Sequence, residues 1–491
     1  MKNLIYKALN LAQLKGAEYA DIRIVSKKRE SIDVKNQIPE AIEVNQDHGF
    51  GIRVLYNGSW GFSASCFLDE KNIEKTVREA IEIAKASLLV QNEKIKLSPA
   101  KKIVAKYQTK IKKDPFKISL EQKLKLLLDA NVEMQKVKGV KVVEAFMNFW
   151  KQEKIFASTE GSFIEQEIYE SGAGIEATAI TKNDVQTRSF PNSFKGQCGT
   201  AGYELVETLG LKENAQRIGE EAVALLKAPQ CPAGMNTLIL DGNQLGLQIH
   251  ESCGHPIELD RVLGMEASFA GTSFLTLEKL GKFKYGSDIV NITADATLLG
   301  GLGTFGYDDE GIPAQRFPII KNGKFVNYLT SRETASVLGQ KSNGTMRADG
   351  WSNIPLIRMT NINLEPGEWE LDDLIADTKS GIFMSTNKAW SIDDKRLNFQ
   401  FGCEIAWEIK NGKKGKIYKN PIYTGITPQF WNSCDAICNK KHRKIWRTPN
   451  CGKGEPGQSA HVAHGCSPAR FRNVKIGVRK NKVSISRICI P

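Results

Sequence analysis

The first 95 residues alternate between helical and strand-like spacing of their apolar positions. From Leu4 to Leu11 the apolar residues recur at helical spacing, which predicts a surface helix. The next stretch, YADIRIVSKKRESIDVKNQIPEAIEVN, alternates apolar and polar residues as strands do, and GFGIRVLYNGSWGFSAS predicts a hairpin that turns at Asn57-Gly58. A second helix is predicted for DEKNIEKTVREAIEIAKASLL, which opens with a capping-type residue.

Residues 96–227 return to this combination of helix and strands after a break. Residues 96–118 are rich in lysine, contain Pro99 and Pro115 and show weak periodicity, so a linker is predicted there. SLEQKLKLLLDANVEMQK, from residue 119, predicts a helix, and strands follow to about residue 190, with a further helix near 212–227. Two such passes of helix and sheet are compatible with an internal duplication.

The rest of the chain is predicted to be mostly β. KAPQCPAG, residues 227–234, marks a boundary with two prolines and a glycine. Beyond it we predict a short strand in NTLILDG, a short helix in NQLGLQIHESCG, and Asn-Gly hairpins in PIIKNGKFVNYLTS and CEIAWEIKNGKKGKIY. The predicted fold class is α+β, with an α/β subdomain over 1–95, a linker over 96–118, a second α/β subdomain over 119–227 and a β-rich domain over 234–491 that carries the short helix.

Composition indicates a globular protein outside the membrane. The chain has 491 residues, 41% of them hydrophobic and 25% charged, which is ordinary for two or three soluble domains. It contains no run of about 18 apolar residues, so no transmembrane helix is expected. Ten cysteines are too few for a disulfide scaffold, and the N-terminus lacks a secretion signal; we therefore expect reduced thiols and a cytoplasmic location.

The positive charge is concentrated at the C-terminal end. The formal net charge is +13, and the segment from Lys440 to Pro491 contains thirteen Lys and Arg residues against one acid, Glu455. Such a segment could bind nucleic acid. It could equally form the solvated face of a strand-rich domain, or the entrance of a cavity that attracts acidic peptides. The scarcity of aromatic residues in the segment favours these two interpretations over nucleic-acid binding.

The motif HESCGH, residues 250–255, suggests a metal site of unusual spacing. A helix advances about 100° per residue, so histidines five apart point about 140° away from each other and cannot chelate one ion from a regular helix. Gly254 is a preferred helix terminator, and Pro256 disfavours the helical region for His255. We therefore predict that the helix ends near Cys253 or Gly254, and that the exiting chain folds His255 back toward His250.

Glu251 and a third ligand would complete such a site. A carboxylate beside a metal-binding histidine can act as general base on metal-bound water, and a catalytic zinc needs a third protein ligand. Cys451 lies in a Gly- and Pro-rich loop, where Lys453 would favour its thiolate. Cys403, in a strand-like run, is more typical of a core residue. A separate structural zinc site remains open for the remaining cluster: Cys434, Cys438, His442, His461, His464 and Cys466.

The segment 301–310 offers two weaker signals. GLGTFG matches a dinucleotide-binding pattern, but YDDEGIPAQRFP follows instead of the helix that such a site requires, so we expect a Gly-rich turn that lets a backbone pass close by. The acids Asp308, Asp309 and Glu310 could bind a peptide amine, although a solvated turn is the favoured interpretation.

Five motifs together resemble the TldD/PmbA family. HESCGH, YDDEGIPAQ at 307–315, YLTSRETA at 328–335, IAWEIKNGK at 405–413 and CGKGEPGQ at 451–458 follow one another in the order found in that family, and the resemblance covers nearly the whole chain. Its members are known as metallopeptidases and, historically, as modulators of DNA gyrase. The presence of H-E-x-x-x-H resembles the TldD-like, metal-bearing branch.

The resemblance implies a zinc-dependent peptidase that cuts short or unfolded peptides. It implies His250, His255 and Cys451 as zinc ligands and Glu251 as general base on zinc-bound water, and it assigns no substrate-binding residue. It also implies a dimer, formed with a second copy or with a metal-free paralogue. From the lack of a long apolar run, no membrane partner is expected. The alternative is a nucleic-acid- or gyrase-associated binding protein that uses the basic C-terminal segment, although nucleic acid is not the partner we expect.

Overall fold

A computed structural model describes residues 1–477 of the chain. The N-terminal half consists of five helices and eight strands, in the order α1 Lys2–Leu14, β1 Tyr19–Lys35, β2 Ile38–Tyr56, β3 Ser59–Ser65, α2 Glu70–Ser87, β4 Val104–Gln108, α3 Leu120–Gln135, β5 Val140–Ser158, β6 Phe163–Ile180, β7 Val185–Phe190, β8 Gln197–Gly199, α4 Glu204–Thr208 and α5 Leu211–Lys227.

These eight strands form one sheet with a repeated order of elements. The strand order is β3-β2-β1-β5-β6-β4, with β7 and β8 also pairing with β6. A helix, three antiparallel strands and a helix follow one another twice, as α1-β1-β2-β3-α2 and then as α3-β5-β6-β7 leading to α5. The two sets meet where β1 pairs antiparallel with β5. The repeat has the form of the duplication that the sequence suggests, but both copies contribute to a single sheet.

The segment 96–118, for which the sequence predicts a linker, is part of this sheet. Its strand β4 pairs in parallel with β6, from Val104 opposite Phe163 to Gln108 opposite Glu167. Exposed and half-buried residues alternate along β4, which is the pattern of an edge strand, and this short signal was obscured by the surrounding lysines.

Apolar stripes hold the helices against the sheet. On α2 the buried residues recur at helical spacing from Ile73 to Ala84, and they pack with the apolar face of β2. The contact with β3 is close, because a Cβ added at Gly61 would lie 1.9 Å from the carbonyl oxygen of Ala80. Helices α3 and α5 cover the other half of the sheet in a second apolar cluster.

The C-terminal half is mostly β, as predicted. Its helices are α6 Gly242–Ile249, α7 Leu259–Val262, α8 Arg332–Val337, α9 Leu371–Ala376 and α10 Thr427–Asn432. Its strands are β9 Gly234–Leu240, β10 Ile292–Asp295, β11 Arg316–Lys321, β12 Lys324–Phe325, β13 Met346–Arg347, β14 Leu356–Ile357, β15 Ile362–Leu364, β16 Ser380–Ile392, β17 Asn398–Lys410, β18 Lys413–Lys419, β19 Ile422–Ile426, β20 Cys434–Ile437, β21 Lys444–Lys453, β22 Gln458–Cys466 and β23 Ala469–Ile476.

A ring of strands surrounds the core of this half. The sheet order is β16-β9-β23-β19-β17-β18, and an additional pairing of β16 with β17 closes five of these strands on themselves. Helix α6 follows β9 directly and packs beside β16, so it lies against the ring. The strands β21 and β22 form a separate hairpin that also contacts α6. The site described below lies where this hairpin meets the end of α6.

Candidate metal centre

The helix that carries HESCGH continues through the motif instead of ending in it. Asp241 caps α6 by accepting a hydrogen bond from the backbone N–H of Gly242 at 2.7 Å. Residues His250–Gly254 then form a π-helical turn, and His255–Ile257 continue as a 3-10 turn. The predicted helix end near Cys253 or Gly254 is therefore wrong, and His255 keeps helical backbone angles, with φ −65° and ψ −43°.

The π-helical turn resolves the five-residue spacing. Its hydrogen bond runs from the N–H of His255 to the carbonyl of His250, five residues back, which brings the two residues onto one face. The two imidazole centroids are 4.9 Å apart. Gly254 serves this packing and not a left-handed turn, because its φ is −59° and a Cβ there would lie 2.0 Å from the sulfur of Met359.

Cys451 completes a group of three possible ligands. It lies on β21 opposite Ala460 of β22, and its Sγ is 3.7 Å from Nε2 of His255. The candidate ligand atoms of His250, His255 and Cys451 all lie within 4.8 Å of one another, and the three residues are buried. Across residues 1–477 no other His, Cys, Asp or Glu side chains form such a group of three.

Hydrogen bonds fix the tautomer of each imidazole. Nδ1 of His464 lies 3.0 Å from the carbonyl of Ile362, which can only accept, so this nitrogen carries a proton. Nε2 of His464 then accepts from Nδ1 of His250 at 2.9 Å. Likewise, Nδ1 of His255 donates to the Glu258 carboxylate at 3.0 Å. Each motif histidine therefore keeps an unprotonated Nε2, which is the state that binds a metal.

Burial and neighbouring charges prepare the same three groups for metal binding. Burial lowers the pKa of His250 and holds that of His255 well below its usual value, so both are neutral at neutral pH. Burial raises the pKa of the Cys451 thiol, but nearby positive charge, including that of Arg358, outweighs this effect, and the pKa of this thiol is lowered. Arg358 also donates to the Cys451 carbonyl. The expected role of Lys453 beside the thiolate is not observed, because its ammonium group bonds to Asp260 at 2.7 Å.

Glu251 faces a cleft of about 270 Å³ that includes the three candidate ligand residues. Its carboxylate forms an ion pair with Arg396, which comes from the turn between β16 and β17. Sequence reasoning missed Arg396, since nothing links it to a motif 145 residues away. It also missed Glu258, for which a signal existed: a carboxylate three residues after His255 is at helical contact spacing.

The other candidate ligands lie apart. Cys403 and Cys434 are core residues, and Cys438 packs in a separate apolar cluster. Among the described residues, the second site that the sequence left open is not assembled, because the His442 ring contacts Glu370 at 2.9 Å. The His461 ring bonds to Glu170 and the Cys466 thiol to the carbonyl of Gly242.

The acidic turn 308–310 is buried, so the favoured solvated turn is wrong. Asp309 pairs with Lys154 at 2.5 Å, Glu310 with Arg53 at 3.3 Å, and Asp308 accepts from backbone N–H groups. GLGTFG is followed by further turns and not by a helix. Gly303 allows a close backbone contact there, because a Cβ at this position would lie 2.3 Å from the carbonyl carbon of Thr360.

The basic segment does not form one exposed surface in its described part. Arg447, Lys453 and Arg470 are buried, with backbone carbonyls, Asp260 or Asp435 as partners. Four further basic residues of this segment, at positions 479, 480, 482 and 487, lie outside the described residues. Within residues 1–477, no helix is long and apolar enough to cross a membrane.

Comparison with known proteins gives matches along the chain. One family, described as PmbA/TldA metallopeptidase, matches with its domain 1 over residues 20–84, its central domain over 113–228 and its C-terminal domain over 216–477. The chain is 32% identical over 458 residues to the metalloprotease MJ0996 of Methanocaldococcus jannaschii, covering 92% of this chain and 95% of that protein.

Two further proteins extend the comparison. The chain is 22% identical over 479 residues to a Saccharolobus solfataricus protein named zinc metalloprotease TldD homolog, with 96% of this chain and 99% of that protein covered. Among solved structures, TldE from Thermococcus kodakarensis has a TM-score of 0.75 at 16% identity, over 97% of this chain and 100% of that chain. This last likeness shows the same fold.

Proposed function

The chain belongs to the PmbA/TldD metallopeptidase family, and we propose that it is a zinc-dependent peptidase with His250, His255 and Cys451 as ligands and Glu251 as general base. One observation carries the proposal: two imidazoles of fixed tautomer and a thiol of lowered pKa meet within 4.8 Å of one another beside a carboxylate in a cleft.

The three side chains fit zinc. Two neutral imidazoles and a thiolate are a ligand set that zinc accepts, and three protein ligands leave a position open for substrate or water. When bound, zinc supplies a Lewis acid that polarises a peptide carbonyl and makes water more acidic. The relative from S. solfataricus that is named a zinc metalloprotease supports this choice of metal.

The chain's own residues supply the proton transfers. Arg396 holds one oxygen of the Glu251 carboxylate, which orients the group and leaves the other oxygen free to face the cleft. In the proposed reaction Glu251 accepts a proton from the attacking water and delivers it to the leaving amine. Since Glu251 is not among the ligands, its removal is expected to stop turnover while the metal stays bound.

The size of the cleft supports a peptide substrate. It shares Ser193, Phe194 and Asn387 with an adjoining cavity of about 580 Å³, so a chain of several residues can extend away from the site. We propose short or unfolded peptides as substrates, because a folded protein cannot present a bond to residues buried this deeply. We also propose a dimer with a second copy or a metal-free relative, which the likeness to TldE supports.

The deciding experiment measures zinc and peptide cleavage on the same preparations. Elemental mass spectrometry of protein purified without chelator should find one zinc per chain, which is lost in His250→Ala and in Cys451→Ala. The matched control is Cys434→Ala, which removes a buried thiol outside the group and should keep its zinc. Zinc retained in both ligand variants, or wild-type cleavage by Glu251→Gln, would overturn the proposal. Light scattering, alone and with a metal-free relative, tests the dimer.

A further inference from the structure

A separate cavity lies between the two halves of the chain. Its volume is about 350 Å³, within the range of small-ligand sites. Strands β1, β2, β5 and β6 form one wall, and residues near 302–309, 347–349 and 459–461 form the other. None of the residues that line it lines the metal cleft, although both cavities touch the β21–β22 hairpin. We call it the Arg347 pocket, after the residue that distinguishes it.

Arg347 is a cation without a carboxylate. Its Nη1 donates to the carbonyls of Met359 at 3.1 Å and His461 at 2.7 Å, and these two bonds hold one edge of the guanidinium. Within residues 1–477, no Asp or Glu oxygen lies within ion-pair distance of it. Burial lowers the pKa of Arg347 to about 10, with repulsion from Arg358 adding to the effect and attraction from the more distant Glu170 and Asp309 opposing it. Arg347 is half-buried at the cavity wall, and a charge that has lost part of its hydration is stabilised when an anion meets it.

The acids in the same pocket already have partners. Asp309 pairs with Lys154 at 2.5 Å, and Asp349 pairs with Lys27 at 2.9 Å. Glu170 contacts the His461 ring at 2.5 Å. Of the six Lys and Arg residues in the lining, Lys151 is paired with Glu153 and Glu167 outside it. In the described part of the chain, the lining cations with no ion-pair partner are Lys28, Arg29 and Arg347.

Aromatic side chains define what an anion in this pocket would be attached to. The Arg347 guanidinium lies 5.6 Å from the ring centroid of Phe305, and Trp150 packs edge-on against His461 at 5.0 Å. Trp150 and Phe305 both line the cavity, as does Tyr307. A guanidinium next to aromatic walls suits a planar or apolar group that bears a carboxylate, because the fork of the guanidinium matches both carboxylate oxygens.

We propose that the Arg347 pocket binds a carboxylate attached to an aromatic or apolar group, with the free edge of Arg347 holding the carboxylate. Such a group is supplied by the C-terminal residue of a peptide or by a free aromatic acid. The site is separate from the metal centre, and its occupation does not depend on hydrolysis. It therefore adds a second ligand site to the proposed peptidase.

The test compares acids with their amides on full-length Glu251→Gln protein, which avoids cleavage of the probes. N-acetyl-phenylalanine should bind with a dissociation constant on the order of 0.1–1 mM by calorimetry or ligand-detected NMR. N-acetyl-phenylalaninamide should bind roughly tenfold more weakly or worse, because it lacks the charge. Acetyl-Gly-Gly-Phe, with either a free or an amidated C-terminus, separates the two sources of the carboxylate. If the pocket binds only free aromatic acids, neither peptide binds. If it binds the C-terminal residue of a peptide, the peptide with the free C-terminus binds and the amidated peptide does not.

Variants separate this pocket from the metal. Arg347→Gln should lose the preference for the acid, Arg347→Lys should keep part of it, and Arg316→Gln, outside both cavities, should not change it. Binding of the acid to the Arg347 pocket should survive removal of zinc by a chelator. If the carboxylate bound zinc instead, binding would be lost on chelation and kept in Arg347→Gln. That opposite pattern, or equal affinity for acid and amide, refutes the proposal without touching the peptidase assignment.

A second variant covers the case in which Arg347→Gln does not fold. Lys28 and Arg29 line the same pocket from β1, and Arg29 is exposed. The double variant Lys28→Gln/Arg29→Gln should therefore fold and bind the acid about threefold more weakly at low salt, since two nearby positive charges are removed. Unchanged acid affinity in this folded variant counts against the pocket.

Discussion

His464 should control zinc affinity although it is not a ligand. It is buried, accepts a hydrogen bond from Nδ1 of His250 at 2.9 Å and donates to the carbonyl of Ile362 at 3.0 Å. Leucine at position 464 would fill similar space but offer neither bond. Nδ1 of His250 would then be buried without an acceptor, and the neutral ring could place its proton on Nε2, where it blocks the metal.

The expected loss follows from the hydrogen bond that disappears. Removing the hydrogen-bond partner of a metal-binding histidine typically weakens metal binding about 10- to 100-fold. This corresponds to roughly 1.4–2.7 kcal/mol, which is within the cost of leaving one buried donor unsatisfied. Glutamine should restore most of the affinity, because its Oε1 can accept from His250 while its amide donates to the Ile362 carbonyl.

The assay is a zinc titration in competition with a chromophoric chelator. His464→Leu should raise the dissociation constant about 10- to 100-fold, and His464→Gln should lie within about threefold of wild type. The matched control is His461→Leu, three residues earlier on the same strand, whose ring contacts Glu170 instead of a ligand. Thermal unfolding in excess chelator checks that each variant folds. A folded His464→Leu protein with wild-type affinity would refute the tautomer argument.

Three other changes have defined outcomes. Glu251→Gln should keep one zinc per chain and lose about 10²–10⁴ in peptide turnover, and cleavage at the wild-type rate contradicts the general-base role. Burial, with Glu404 nearby, raises the pKa of Glu176 to about 7, so the folded state holds a proton that the unfolded state loses near pH 4.5. The free energy of unfolding should therefore fall as the pH rises from about 4.5 to 7. The difference in melting temperature between wild type and Glu176→Gln should grow over that window, and a constant difference contradicts the argument. Gly254→Ala should lower the free energy of unfolding by about 1–3 kcal/mol, because the added methyl group would collide with Met359. A double-mutant cycle with Met359→Ala should show coupling between the two positions, and additive effects argue against that contact.

The elements that depend on local chemistry could be predicted from sequence. The hairpins at Asn57-Gly58, Asn322-Gly323 and Asn411-Gly412 all form, because the two-residue hairpin turn adopted there needs positive φ at both residues, and Asn followed by Gly tolerates this best. The helix over residues 70–87 was equally visible through its apolar spacing. In these cases the residues that decide the structure are neighbours in the chain.

The π-helical turn could not be predicted, because distant residues stabilise it. A bond to the fifth preceding carbonyl differs from the α-helical bond by one residue, and no local preference in HESCGH selects it. In the structure Trp431 donates to the Ser252 hydroxyl at 3.0 Å and Tyr285 to the Ser252 carbonyl at 2.9 Å. Arg396 reaches Glu251 from a turn 145 residues further along the chain. The sequence named the three side chains that the structure brings together, but their geometry depends on these tertiary contacts.

The same buried charges that orient His255 also hold Cys451 in place. Lys453, two residues after Cys451, bonds to Asp260 at 2.7 Å and lies 3.5 Å from Glu258, which in turn accepts from His255. Moving β21 away from the π-helical turn would separate these buried charges, at a cost of about 3–5 kcal/mol when one partner is lost. The proposed ligand Cys451 is therefore tied to the proposed ligand His255 through the protein itself. It follows that the ligand geometry should persist in metal-free protein, so that zinc binds a site that is already formed.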